Sequence, residues 1–244
     1  GVDADHSDIN ANMVAFTSGS DVVNSDNDAS DDEGHGSHVA GIIAAEKNDS
    51  GMHGVAYDAD IYAFKAFNAS GVAPAGATGS AYGLVEAIGA IDIINNSWGT
   101  DADCSSASEC RTTIGTTMYD NWEDVSQLST PKISVFAAGN EGTDQPSAQC
   151  QTMAYNSDIS AVSVCVVAIS YSTLGKDNGY LATFSNKCGK ASSYCIAAPG
   201  DRIYSLTDSG SYTFASGTSM AAPFVSGGLA VVMQEFSSLT PAQV

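Results

Sequence analysis

Apolar residues in this 244-residue chain fall into short runs bounded by glycine and polar turn residues: Ile61–Phe67, Ile91–Asn95, Ile133–Ala138, Val162–Ile169 and Tyr194–Ala197. Several are apolar almost throughout instead of alternating, the mark of strands covered on both faces, as in a parallel sheet. Between them lie longer stretches with helical spacing: His35–Ala45, Ser80–Ala90, Thr112–Gln127 and Phe224–Phe236. Strands alternating with helices predict an α/β fold, a three-layer αβα sandwich around a mostly parallel central sheet. The length suits one compact domain over residues 1–244. At the end of the chain, Thr240 and Pro241 set up a helix N-terminus that runs for only one turn. No run reaches the roughly 18 apolar residues of a membrane-spanning helix.

Charge narrows the functional classes. Acidic residues number 28 against 8 basic ones, a net charge of −20. Phosphate backbones would be repelled, so no nucleic-acid partner is expected. The acidic excess fits a soluble protein in saline or calcium-containing surroundings. Six acids lie between Ser20 and Glu33; the stretch reads as a solvated loop. It fails as an EF-hand, since a frame begun at Asp26 puts Asp31 at the glycine position and Ser37 at the terminal glutamate. The six cysteines include no Cys-x-x-Cys pair, which favours disulfides in an oxidising compartment over zinc. Of the fifteen pairings, Cys188 with Cys195 around a short polar segment ranks first, and Cys104 with Cys110 second. Cys150 with Cys165 is the remainder, and Cys165 in its apolar run reads equally well as a buried thiol.

Three segments carry candidate chemistry. Ser219 stands in Gly217-Thr218-Ser219-Met220-Ala221-Ala222-Pro223, where a β-hairpin ends and a helix begins. Small neighbours leave room for a substrate backbone, and the helix N-terminus favours an oxyanion at the serine. A serine needs a base. Gly34-His35-Gly36-Ser37-His38-Val39-Ala40-Gly41 offers His35 at a helix start. His35 and His38 share a helix face as a metal pair would, but no third ligand stands at a telling offset. Asn140, in Ala137-Ala138-Gly139-Asn140-Glu141-Gly142, follows a buried strand and has a plain reading as a turn residue.

Together and in this order, the His, Asn and Ser segments resemble the subtilisin-like serine proteases (subtilases), whose triad runs Asp, His, Ser. The resemblance implies a serine endopeptidase acting on proteins or peptides, with Ser219 as nucleophile, His35 as general base and Asn140 in the oxyanion hole. It makes Ser97, Trp98 and Gly99 one wall of a substrate cleft and Ala137, Ala138 and Gly139 the other. Trp98 also reads as an ordinary core aromatic. Gly1-Val2-Asp3-Ala4-Asp5-His6-Ser7-Asp8-Ile9 resembles the tail of the subtilase Asp-[Ser/Thr]-Gly-[Val/Ile]-Asp motif. That alignment puts the catalytic aspartate two residues before Gly1, with Asp3, Asp5 and Asp8 at non-catalytic positions. The N-terminal strand and C-terminal helix would then be truncated, and the 244 residues alone impaired as an enzyme. The alternatives are a peptide-binding relative without activity, an inactive fragment, or acyl transfer in place of hydrolysis. The family's chemistry needs no cofactor; it often carries structural calcium, for which Asp8 matches a ligand position. Secretion or a cell-surface location, a monomeric state and a propeptide partner are further implications. The Cys-bounded insert before Ala198-Pro199-Gly200 is similar to that of subtilases carried by autotransporters. Side-chain preference is not legible, because the loop between Gly142 and Ser160 resists residue-by-residue matching.

Overall fold

The structure, a computed structural model, describes residues 1–171 and 179–244. Helix α1 (His35–Ala44) and helix α2 (Ala77–Glu86) precede strand β1 (Ile93–Asn96). Helices α3 (Ala107–Thr113) and α4 (Thr116–Gln127) lead to β2 (Ile133–Ala137). Short helices α5 (Ala148–Thr152) and α6 (Ser157–Ser160) lead to β3 (Ser163–Ser170), then β4 (Tyr180–Leu181) and β5 (Cys195–Pro199). A hairpin of β6 (Ile203–Leu206) and β7 (Tyr212–Ala215) runs into the long helix α7 (Thr218–Glu235).

Strands β1, β2, β3 and β5 pair side by side in parallel; only the two-residue β4 runs antiparallel, on β3. Side-chain alternation splits the buried strands between two cores. Phe136, Cys165 and Val167 face one way, against Met118 and Trp122 of α4 and Tyr82 of α2. Ile133, Val135, Ala137, Val166 and Ala168 face the other, against Ala221, Ala222 and Phe224 of α7. The protein is thus an α/β sandwich with helices on both faces of a mostly parallel sheet, as the runs predicted.

The helix expected over 112–127 is two helices, broken at Gly115, whose φ of 91° most side chains resist. The expected strand over 61–67 is reduced to bridges at Ile61 and Lys65, which among the described residues pair only with Met13 and Asp21. A groove of about 1170 Å3 lies between this segment and the open edge of β1, floored by Val39 and Ile43 of α1. With one flank unpaired, the segment has no second ladder to flatten it into a continuous strand.

All three candidate disulfides form: Cys104–Cys110, Cys150–Cys165 and Cys188–Cys195, with Cα separations of 5.0, 5.3 and 5.9 Å. Cys165 is therefore bonded, not a free thiol. The acidic loop is also more than a solvated surface. Asp31 accepts from the backbone N–H groups of Gly34 (3.0 Å) and Ser37 (2.8 Å) and from Ser37 Oγ (2.6 Å), satisfying donors at the start of α1. Burial would raise its pKa, but these bonds hold the carboxyl below the usual carboxylate range. Asp21 is buried and, with Asp32, pairs with the buried Lys65.

Candidate active site

Ser219 is the second residue of α7, where the helix leaves its first N–H groups without intrahelical acceptors. Pro223, four residues on, has no N–H to give the Ser219 carbonyl. That carbonyl instead accepts from Ser97 Oγ at 2.7 Å, while Ser219 Oγ donates to the Ser97 carbonyl at 3.0 Å. The reciprocal pair ties the end of β1 to the first turn of α7. A longer chain of bonds supports it: Ser226 Oγ donates to Asn95 Oδ1 (2.8 Å) and Asn95 Nδ2 donates to Ser97 Oγ (3.0 Å).

Asn140 is oriented by its neighbour on the other side. Its Oδ1 accepts from the Thr218 N–H at 2.8 Å and from Thr218 Oγ1 at 3.1 Å. Thr218 Oγ1 in turn accepts from the Gly139 N–H at 3.1 Å. With Oδ1 committed, Nδ2 keeps its donors free of any acceptor among the described residues. Gly139 permits this turn: its φ is 105°, and a Cβ there would meet the Glu141 carboxylate at 2.7 Å.

His35 opens α1 behind Gly34, whose φ is 96°. Helices α1 and α7 pack through Val39, Ile42 and Met220, which sets their first turns side by side. The His35 ring is solvent-accessible but crowded enough that desolvation lowers its pKa below the ordinary 6.5; Glu33 and Asp31 pull the other way. Among the described residues its ring makes no hydrogen bond, and Ser219 Oγ bonds Ser97, not His35. His38, one turn on, is buried away from the cleft, with Nε2 3.3 Å from the Thr213 carbonyl.

A cavity of about 140 Å3 opens beside Ser219, bounded by Trp98, Gly99, Ala137, Gly139 and Ser147. Trp98 borders the cavity and stacks edge-on against Phe136 of the core at 5.7 Å. The two expected walls differ. Trp98 and Gly99 keep their backbone groups unpaired among the described residues. Ala138 is fully buried, its N–H given to Val166 and its carbonyl taken by Ser147. Gly139 is likewise occupied, by Thr218 and by the Asn186 N–H. The second wall therefore offers a smooth surface in place of a free hydrogen-bonding edge.

Asp8 is buried, and its Oδ2 accepts from the Met52 N–H (2.9 Å) and the Tyr212 hydroxyl (3.1 Å). Among the described residues no three His, Cys, Asp or Glu side chains gather to hold a metal. Calcium also takes backbone and amide oxygens, and no step below runs through a metal.

Sequence reasoning assigns no role to Thr218, Ser226 or Asp31, which bond Asn140, Asn95 and the start of α1. Pro223, four residues after Ser219, was a legible signal that the serine's carbonyl would need an outside donor.

Comparison with known proteins gives the family. The model of the Subtilase family matches residues 1–244, and the chain belongs to that family of serine proteases. It is 31% identical to Subtilisin DY of Bacillus licheniformis over 249 aligned positions, spanning all of this chain and 77% of that protein. It is 30% identical to an extracellular serine protease of Serratia marcescens, covering 86% of this chain but only 24% of the relative. The crystal structure of a cold adapted subtilisin-like serine proteinase superposes over the whole chain and 76% of its own, at 28% identity and a TM-score of 0.72.

Proposed function

We propose that this chain is the catalytic portion of a secreted serine endopeptidase, with Ser219 as nucleophile, His35 as base and Asn140 as oxyanion donor. The observation that carries the reading is the fixed pair of donors at the start of α7. Asn140, held by Thr218, leaves Nδ2 free next to the unpaired Ser219 N–H. Both would hold the negative oxygen that forms when the serine adds to a peptide carbonyl.

The sequence of events follows from these parts. Ser219 Oγ releases the Ser97 carbonyl and turns to His35, which takes its proton as Oγ bonds to the scissile carbon. The intermediate collapses with the C–N bond breaking, and His35 protonates the departing amine. Water, deprotonated by the same imidazole, then hydrolyses the ester and restores Ser219. Removing the corresponding asparagine donor costs about 10²–10³ in kcat in subtilisin, a magnitude taken over from that enzyme. An extended peptide would pair with the free backbone of Trp98 and Gly99. The family match and the three disulfides support an extracellular setting.

His35 needs a carboxylate to fix its tautomer, and no described residue bonds its ring. The motif around Gly1 assigns that role to an aspartate two residues earlier. The groove beside β1 supports the assignment, since it lies along the open edge of that strand and runs past Gly1 and His35. Loss of the triad aspartate costs about 3 × 10⁴ in kcat in subtilisin. A peptide-binding role without hydrolysis is the second reading; the Ser219 hydroxyl resting on Ser97 favours it.

A fluorophosphonate applied to the polypeptide carrying that aspartate is expected to label Ser219, and His35→Ala to abolish the labelling. Equal labelling in the variant would overturn the assignment of the base. Residues 1–244 alone are expected to cleave casein barely, and robust cleavage would remove the aspartate from the scheme.

A further inference from the structure

The turn that carries Asn140 runs between β2 and α5, with glycines on both sides of it. Gly139 and Gly142 hold left-handed φ values of 105° and 68°, and glycine adopts other conformations about as readily. Thr218 fixes the amide of Asn140. The backbone from which that side chain springs needs a holder of its own.

Asn186, in the segment between β4 and β5, is buried against this turn. Its Oδ1 accepts from the Glu141 N–H (3.1 Å) and the Thr143 N–H (3.0 Å). Its Nδ2 donates to the Ala138 carbonyl (3.1 Å) and to Glu141 Oε2 (2.8 Å). Both lone pairs and both protons of the amide are thus spent on residues 138–143. Glu141 Oε2 passes the support on, accepting from the Asn140 N–H at 2.8 Å. The backbones join as well. The Asn186 N–H donates to the Gly139 carbonyl (3.0 Å), and the Gly142 N–H to the Phe184 carbonyl (2.8 Å). The approach is so close that a Cβ on Gly139 would lie 2.3 Å from Asn186 Nδ2. Ser185 anchors the segment to the sheet, its Oγ accepting from the Ala168 N–H of β3 at 3.0 Å.

We propose that Asn186 is a positioning residue for the reaction at Ser219: acting through Glu141, it holds the 139–143 turn so that Asn140 Nδ2 stays aimed at the oxyanion. The consequence for catalysis rests on the endopeptidase reading; the clamp on the turn does not. An oxyanion donor works because it is fixed before charge develops, and a small misplacement of such a group is costly in rate. An aspartate in place of Asn186 has the same shape but turns an oxygen toward the Ala138 carbonyl and the Glu141 carboxylate, so the clamp becomes a repulsion.

Two measurements test this. By amide hydrogen exchange, the Gly142 and residue-186 N–H groups of Asn186→Asp are expected to exchange about tenfold faster, while the amides of β2 keep their rates. In the polypeptide carrying the upstream aspartate, the same substitution should lower the maximal rate of fluorophosphonate labelling about tenfold and leave the half-saturating concentration unchanged. That loss is smaller than the 10²–10³ for removing the donor itself. In an Asn140→Ala background the substitution should cost nothing further, because it acts only through Asn140. Glu141→Ala, at an exposed position, removes the same support without touching the buried amide and is expected to show the same split. Unchanged exchange at the turn overturns the proposal, and so does an equal loss of rate with and without Asn140. If the parental polypeptide is not labelled at all, the endopeptidase reading fails, and the exchange rates alone decide whether Asn186 holds the turn.

Discussion

His38 occupies the same helix as His35, one turn along, in a different electrostatic situation. It is buried, its Nε2 faces the Thr213 carbonyl, and its Nδ1 makes no hydrogen bond among the described residues. Burial lowers its pKa, and the neighbouring His35 pushes the same way, against the backbone of Thr213 and Ile203. A second proton would place a charge in that desolvated site. The unfolded chain binds that proton near pH 6.5 and the folded chain only below it. Stability is therefore full above about pH 6.5, declines as the pH falls through that value, and levels off below the folded pKa. His38→Gln is expected to flatten the slope of unfolding free energy between pH 6.5 and 5, measured by urea titration. An unchanged slope would show that His38 is not its source; His35, also depressed by burial, contributes with the same sign.

At the scale of elements, the decisive piece is the turn that delivers the hairpin into α7. Asp201 Oδ2 accepts from Ser170 Oγ at the end of β3 (2.5 Å), and Oδ1 from Ser216 Oγ (2.9 Å). Ser216 also accepts from the Arg202 N–H, and the Gly217 N–H donates to the Gly200 carbonyl. Arg202 holds a φ of 54°, a left-handed conformation that a non-glycine residue keeps only where its surroundings impose it. Losing Asp201 removes hydrogen bonds worth about 1–3 kcal/mol to a charged acceptor, and 1.4 kcal/mol is tenfold in rate. Asp201→Ala should slow fluorophosphonate labelling of Ser219 about tenfold and Asp201→Asn should recover most of it. Labelling at the parental rate in Asp201→Ala would mean the turn is held without it. None of this was legible from sequence, because Asp201 acts across 31 residues to Ser170 and no local pattern marks the pair. The doubly covered strands were legible, because their apolar runs depend only on burial. So was the start of α7, where the glycine, serine and proline spacing is local. The strand at 61–67 misled because its composition is strand-like while one of its flanks is unpaired among the described residues.

For the whole molecule, charge is the governing quantity. The described residues form four ion-pair contacts, two of them on Lys65, against 28 acids in the chain. Most carboxylates therefore repel one another without compensation, and compactness concentrates that repulsion. Salt shortens its range from about 30 Å at 0.01 M to about 3 Å at 1 M. The Tm is expected to rise by about 4 °C between 10 mM and 0.5 M sodium chloride, roughly 1–2 kcal/mol for a chain of this size. A falling Tm in calorimetry would show that the few ion pairs outweigh the surplus acids.

The Cys150–Cys165 disulfide joins α5, next to the Gln149 that steadies Thr100, to the strand whose Phe136 neighbour backs Trp98. It therefore fastens the helix that follows Ser147, a residue at the border of the small cavity, to the sheet, while Ser219, Thr218 and Asn140 are secured by a separate set of bonds. A reductant that opened it would first blur which side chains are accepted and would leave bond-breaking intact. Discrimination and turnover thus answer to different parts of the environment, the former to its oxidising power and the latter to its pH.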